Sequence, residues 1–255
     1  MWYFLYMLSV ILQVMGCLFV IIFVMTFIAP MLCRMTLRQF DSLAEDRKKD
    51  LKLRASTILY ASCASSVSFY LLAIDESSIH RDKLWGHSKL AQWNLAMAVG
   101  YSFADILMHL KWKQKIDPLM YVHHVYAVGT GGFAFLANRT ILYFTTLRIM
   151  SEVSTPFLEI IISMHHLGMH NNKIYLVAAL LNFLAFAIFR IFLIPFHYYS
   201  FYMAEPFSGK RQLDYVTFYW WFTGAVALDI LNIHWFIKIF KIYWNYFDKK
   251  EKSKS

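Results

Sequence analysis

The sequence predicts an all-α integral membrane protein of about seven helices, and three observations carry that prediction. Of 255 residues, 59% are hydrophobic and only 16% charged, against roughly 45–50% and a quarter in soluble domains. The mean hydropathy is +0.45, and the apolar residues fall in long runs, each able to cross as a helix a hydrocarbon core about 30 Å thick. Most of the 25 Lys and Arg lie between or beyond those runs. This composition excludes a disordered chain and, with three cysteines, a disulfide scaffold; it argues against a soluble enzyme, and nothing in it points to nucleic acid.

The first run, 3–33, opens on Trp2-Tyr3-Phe4. With no basic region ahead and too long a core for a signal peptide, it reads as an uncleaved N-terminal helix. A basic loop, 34–53, follows, and Cys33 beside Arg34 is placed for palmitoylation. Further runs span 55–74, 90–110, 118–137, 140–167, 173–199 and 213–246. The group Gly129, Gly131 and Gly132 suits close helix packing. The fifth run is interrupted by Arg148, Glu152 and Pro156, and a proline there predicts a kink at Thr155. Arg148 and Glu152, four apart, are spaced to neutralise each other on one helix face. The last run outruns a span and ends on Trp244, Tyr246 and Phe247, as an interfacial aromatic belt does. Residues 248–255 read as a disordered basic tail. Assigning connections to alternate sides puts 17 Lys and Arg on one side and 6 on the other, so the N-terminus is predicted lumenal and the C-terminus cytosolic.

Ionisable groups inside a membrane are costly and face a bundle interior or a water-filled cavity. Counting helical rise from the ends of the runs, Asp105, His123, His124, Glu152, Ser154, Asn182, Asp229, Asn232 and His234 all fall in the predicted cytosolic half. Polar groups from five spans at one depth predict a cavity open toward the cytosol, able to hold an amphipathic lipid with its polar end among these groups. Histidine beside carboxylates can act as base, acid or nucleophile. Asp105 and His109, also four apart, are spaced to hydrogen-bond on one face, and His165-His166 is expected at the interface. The histidines lack metal-ligand spacing, so neither a metal nor a resident cofactor is expected.

Five segments together resemble the TLC domain family: Gly100-Tyr101-Ser102-Phe103-Ala104-Asp105, His123-His124, Glu152-Val153-Ser154-Thr155-Pro156-Phe157, Arg190-Ile191-Phe192-Leu193-Ile194-Pro195 and Asn232-Ile233-His234-Trp235-Phe236. The resemblance implies a TLC domain over 54–247: six helices in a barrel-like bundle around a lipid-sized cavity, with one added N-terminal helix. It also implies residence in the endoplasmic reticulum and a role in lipid homeostasis or metabolism. Ceramide synthases of that family carry a His-His pair at the start of a span, where it supports acyl transfer from acyl-CoA, and His123 and His124 occupy the matching place. In those enzymes a longer motif with a further histidine and two aspartates follows; here the stretch holds Glu152 and Ser154-Thr155-Pro156.

The function expected is therefore binding or modification of a membrane lipid. If the reaction is acyl transfer, acyl-CoA is co-substrate, one of His123 and His124 is nucleophile or base, and Asp105 or Glu152 orients and balances it. Ser154, Asn182, Asp229, Asn232 and His234 are expected to contact the lipid. The alternative is a non-catalytic lipid sensor, chaperone or regulator using the same cavity. The oligomeric state is not legible in the sequence.

Overall fold

The computed structural model describes the backbone except at residues 1, 76–77, 116, 126–130, 170–171, 209–211 and 253–255, and the side chains except there and at 2, 78 and 243–252. Gly129 and the last residues of the predicted tail lie outside the described residues, as do the side chains of Trp244, Tyr246 and Phe247.

Every regular element among the described residues is helical. α1 (Trp2–Phe23) passes through a π-helical stretch, Val24–Ile28, into α2 (Ala29–Thr36). The long α3 (Glu45–Ala73) and short α4 (Ser78–Arg81) precede α5 (Lys89–Trp112). α6 (Pro118–Val122) and α7 (Gly131–Asn138) lie at the two ends of the predicted fourth run. α8 (Leu142–Ile149), a 3₁₀ stretch (Met150–Ser154) and α9 (Thr155–His166) form the fifth. α10 (Lys173–Phe186), a π-helical stretch (Ala187–Phe192) and α11 (Leu193–Tyr202) form the sixth, and α12 (Tyr215–Lys252) the seventh. α12 continues through 248–252, where the charge pattern predicts a disordered tail.

Local chemistry explains the boundaries. Ser88, Asp117 and Asn172 accept backbone N–H bonds at the starts of α5, α6 and α10, the usual work of an N-cap side chain. Asp214 does the same for α12, accepting from the Thr217 amide at 2.8 Å. Pro118 and Pro156 sit in first turns, where a missing N–H costs nothing. The predicted break near Pro156 is present, but the chain tightens into the 3₁₀ stretch before the proline.

Among the described residues three helical segments are long and apolar enough to cross a membrane: Tyr3–Thr36, Glu45–Ala73 and Lys173–Tyr202. They leave large apolar side chains facing outward, among them Phe4, Phe19, Phe27, Val177 and Phe192, as a lipid-facing surface does. The long helices α5 and α12 are not among the three; they carry the buried polar residues Gln92, Asn94, Asp105, Asp229 and Asn232.

α1 lies along α5, and α3 packs on both α5 and α9. Two close approaches depend on glycine. A Cβ on Gly100 would sit 2.9 Å from Cβ of Cys17 in α1, and one on Gly132 would sit 2.7 Å from a Val99 methyl. The Gly132 packing role expected from sequence is thus seen. Cys33 is buried with its thiol 3.7 Å from the Leu51 carbonyl, so it presents no surface thiol for acylation.

Candidate functional site

A cavity of about 100 Å³ lies inside the bundle. Its wall takes residues from α3, α5, α7, α8, the 3₁₀ stretch, the second π-helical stretch and α12, together with His123, and none from α1. One part of the wall is apolar, with Leu95, Phe135, Phe144, Trp220 and Trp221. The other is polar, with His123, Arg148, Ser151, Glu152, Arg190 and Asn232. Gly224 also lines it, and a Cβ there would meet nothing within 4 Å.

On one flank, Arg148 makes a two-pronged ion pair with Asp229, whose second oxygen also accepts from the Tyr198 hydroxyl at 2.7 Å. This corrects the expectation that Arg148 pairs with Glu152. In a 3₁₀ stretch each residue turns about 120°, against about 100° in an α-helix. The tightened turn at Met150–Ser154 therefore rotates Glu152 away from Arg148. Glu152 instead accepts from the Thr155 hydroxyl at 2.6 Å.

Arg190 knits the same wall through neutral acceptors. Its guanidinium donates to the Ser151 carbonyl (3.1 Å), the Ser154 hydroxyl (2.9 Å), the Thr155 hydroxyl (2.9 Å) and the Asn232 side-chain oxygen (3.3 Å). Ser154 and Asn232 thus meet through Arg190. The π-helical stretch carrying Arg190 belongs to a class of local insertion found often at functional sites.

On the other flank, Asp105 lies between two histidines. His109 Nδ1 is 3.4 Å from one carboxylate oxygen and 2.9 Å from the Asp105 carbonyl, and His124 Nδ1 is 3.9 Å from the other oxygen. The Asp105–His109 contact is the one the spacing predicts. The His124 distance is too long for a hydrogen bond, and among the described residues Nδ1 of both His123 and His124 has no hydrogen-bond partner. The His123 ring lies 5.3 Å from that of His124 and 6.2 Å from that of Trp235. Of the adjacent pair, His123 lines the cavity and His124 stands behind it, nearer Asp105.

Two predicted residues fall away from this assembly. His234 is exposed, because two residues beyond Asn232 is about 200° around a helix. Asn182 is buried on α10 but does not line the cavity. His166 is exposed, with Nδ1 2.8 Å from Asp50. Sequence reasoning does not assign Arg148 and Arg190 to the site, although both stand as charges inside apolar runs, and it does not single out His197. Among the described residues no group of three His, Cys, Asp or Glu side chains could hold a metal ion.

The family model for the TLC domain matches residues 50–241, most of the chain and all of the cavity wall. The chain belongs to the TLC domain family. Its TLC domain is 30% identical over 204 residues to TLC domain-containing protein 4 of Xenopus tropicalis, covering 79% of this chain and 78% of the relative. The human TLC domain-containing protein 4 is 29% identical over 210 residues, covering 79% and 77%. Protein 4-B of Danio rerio is 26% identical over 214 residues, covering 83% and 80%. No solved structure matches. Within this TLC domain four of the five segments that carry the family resemblance give a residue to the cavity wall (His123, Glu152, Arg190 and Asn232), and Tyr60 of the wall stacks on Tyr101 of the remaining one.

Proposed function

We propose that this protein binds a membrane lipid in the cavity and acts in lipid homeostasis within the endoplasmic reticulum. The observation that carries this reading is one cavity wall that combines aromatic side chains, Trp220, Trp221, Phe135 and Phe144, with polar ones, His123, Glu152, Arg190 and Asn232. An amphipathic ligand is what such a wall suits. The enclosed space is well below the roughly 300–1,000 Å³ of drug-sized pockets, so a lipid entering it parts the neighbouring helices or inserts one end. Seven spans, six of them forming a barrel-like bundle, agree with α1 taking no part in the wall. The excess of Lys and Arg on one side supports a lumenal N-terminus and a cytosolic C-terminus.

In its enzymatic form the reading is acyl transfer with acyl-CoA as co-substrate. His123 faces the cavity as base or nucleophile, and Asp105 balances charge on His124 behind it. The missing hydrogen bond between His124 and Asp105 favours the non-catalytic lipid sensor until a ligand tightens that contact.

The test is native mass spectrometry of purified protein from lipid nanodiscs, comparing wild type with Gly224→Leu. The leucine fills the cavity where no atom stands within 4 Å of the added Cβ. Wild type is expected to retain a defined lipid and the variant to lose it with its fold intact. An identical lipid complement in both would end the reading. Incubation with acyl-CoA then separates its two forms: turnover lost in His123→Ala marks an enzyme, and its absence in wild type marks a sensor.

A further inference from the structure

His197 on α11 is 1% exposed, and among the described residues neither of its ring nitrogens has a hydrogen-bond partner. Its ring is set among aromatic rings, stacked on Trp221 at 5.3 Å and edge-on to Phe144 and Tyr198 at 5.6 and 5.7 Å. A phenylalanine would make the same contacts without two bare polar atoms, each costly to bury. His197 lines a second, smaller pocket of about 10 Å³, about the space one water needs. Arg148 lines it too, and its Nε–H is likewise buried without a partner. The small pocket shares Arg148, Ser151, Arg190 and Asn232 with the wall of the main cavity.

We propose that this small pocket is a binding site for one hydroxyl oxygen, supplied by water or by the alcohol group of a lipid lodged in the main cavity, with His197 and Arg148 as its readers. A neutral imidazole offers one donor and one acceptor, and Arg148 Nε–H one donor. A hydroxyl, which both donates and accepts, can accept from Arg148 Nε–H and serve one His197 ring nitrogen in either tautomer; the two ring nitrogens point apart, so one oxygen meets only one of them. A carboxylate or phosphate does not fit. The pocket has room for one oxygen and not for a group of two or more. The lipid source rests on the cavity reading given above; the water source does not.

The test uses the full-length protein, delipidated in detergent, as wild type, His197→Phe and His197→Gln. Each is melted alone, with hexadecanol and with hexadecyl methyl ether, which cannot donate. If the pocket holds a hydroxyl, His197→Phe melts about 2–4 °C below wild type, and His197→Gln, which keeps a donor and an acceptor, lies between them. A lipid source adds an upward shift with hexadecanol that is absent with the ether and absent in His197→Phe. A water source shows the ordering of variants without that selective shift. The proposal is overturned if His197→Phe melts at or above wild type, as removal of two unsatisfied nitrogens from a dry pocket predicts, and hexadecanol and its ether act alike. Failure of both lipids to shift wild type counts instead against lipid binding in the main cavity, while the ordering of variants still reads the small pocket. Should His197→Phe fail to fold, His197→Gln against wild type with the two lipids carries the same decision.

Discussion

The two flanks of the cavity treat their polar groups differently. On the arginine flank the Arg148–Asp229 pair is closed by Tyr198, and Arg190 reaches four acceptors. On the histidine flank His123 and His124 each keep an unpartnered Nδ1, with the carboxylate of Asp105 3.9 Å from the latter. The contrast follows from charge. An unpaired guanidinium or carboxylate in a membrane interior costs several kcal/mol, whereas a neutral imidazole nitrogen left bare costs about 1–3. Groups that must be ionised are tied into the wall, and only neutral ones can be left open for a ligand. The arginine flank is the frame, and the histidine flank is the part whose hydrogen-bonding atoms are left open.

Three measurements sharpen or break that contrast. The largest effect is expected for Asp229→Ala, which strands Arg148 and should cost about 3–5 kcal/mol of unfolding free energy. Pairing it with Arg148→Met should recover most of the loss, and a double variant no better than the single would show that the pair is not what holds the frame. On the histidine flank, Asp105→Asn should cost less, about 1–2 kcal/mol, and should change ligand handling more than stability; a loss equal to that of Asp229→Ala would erase the distinction between flanks. Outside both flanks, Asp214→Ala should cost about 1 kcal/mol through the lost cap on α12. Partial burial pushes the Asp214 carboxyl up, but hydrogen bonds from Thr217 and neighbouring amides outweigh it and hold the pKa below the ordinary carboxylate value. Its contribution is therefore present above the unfolded-state pKa near 4 and is lost as pH falls through the lower folded value. Thermal melts of wild type and Asp214→Ala should converge in acid below that range, and a gap that widens there would refute the assignment.

How much of this is legible in the sequence depends on which coordinate is asked for. Depth is readable: a charge in an apolar run stands out, and its distance from the end of the run follows from helical rise, so counting residues is enough to put Asp105, His123, Glu152 and Asn232 in one layer. Direction around the helix is not. Arg148 and Glu152 have the spacing of a pair, but one tightened turn separates them, and nothing in Met150-Ser151 announces a 3₁₀ geometry. Asn232 and His234 share a depth and face opposite ways. Asn182 is as buried as expected but points to a different interior. His197 stays hidden among Phe196, Tyr198 and Tyr199, because an aromatic-rich stretch gives a histidine no contrast. The signal that could find it is its position seven residues after Arg190, two helical turns on.

α12 runs for 38 residues without a proline, roughly 57 Å at helical rise, against a hydrocarbon core of about 30 Å. The same uninterrupted rod that presents Trp221, Gly224 and Asn232 to the cavity is therefore longer than any single crossing needs, and its far end is rich in lysine. Between Asn232 on the cavity wall and Lys252 there is neither glycine nor proline, so the wall and the lysine-rich end are two stretches of one continuous helix.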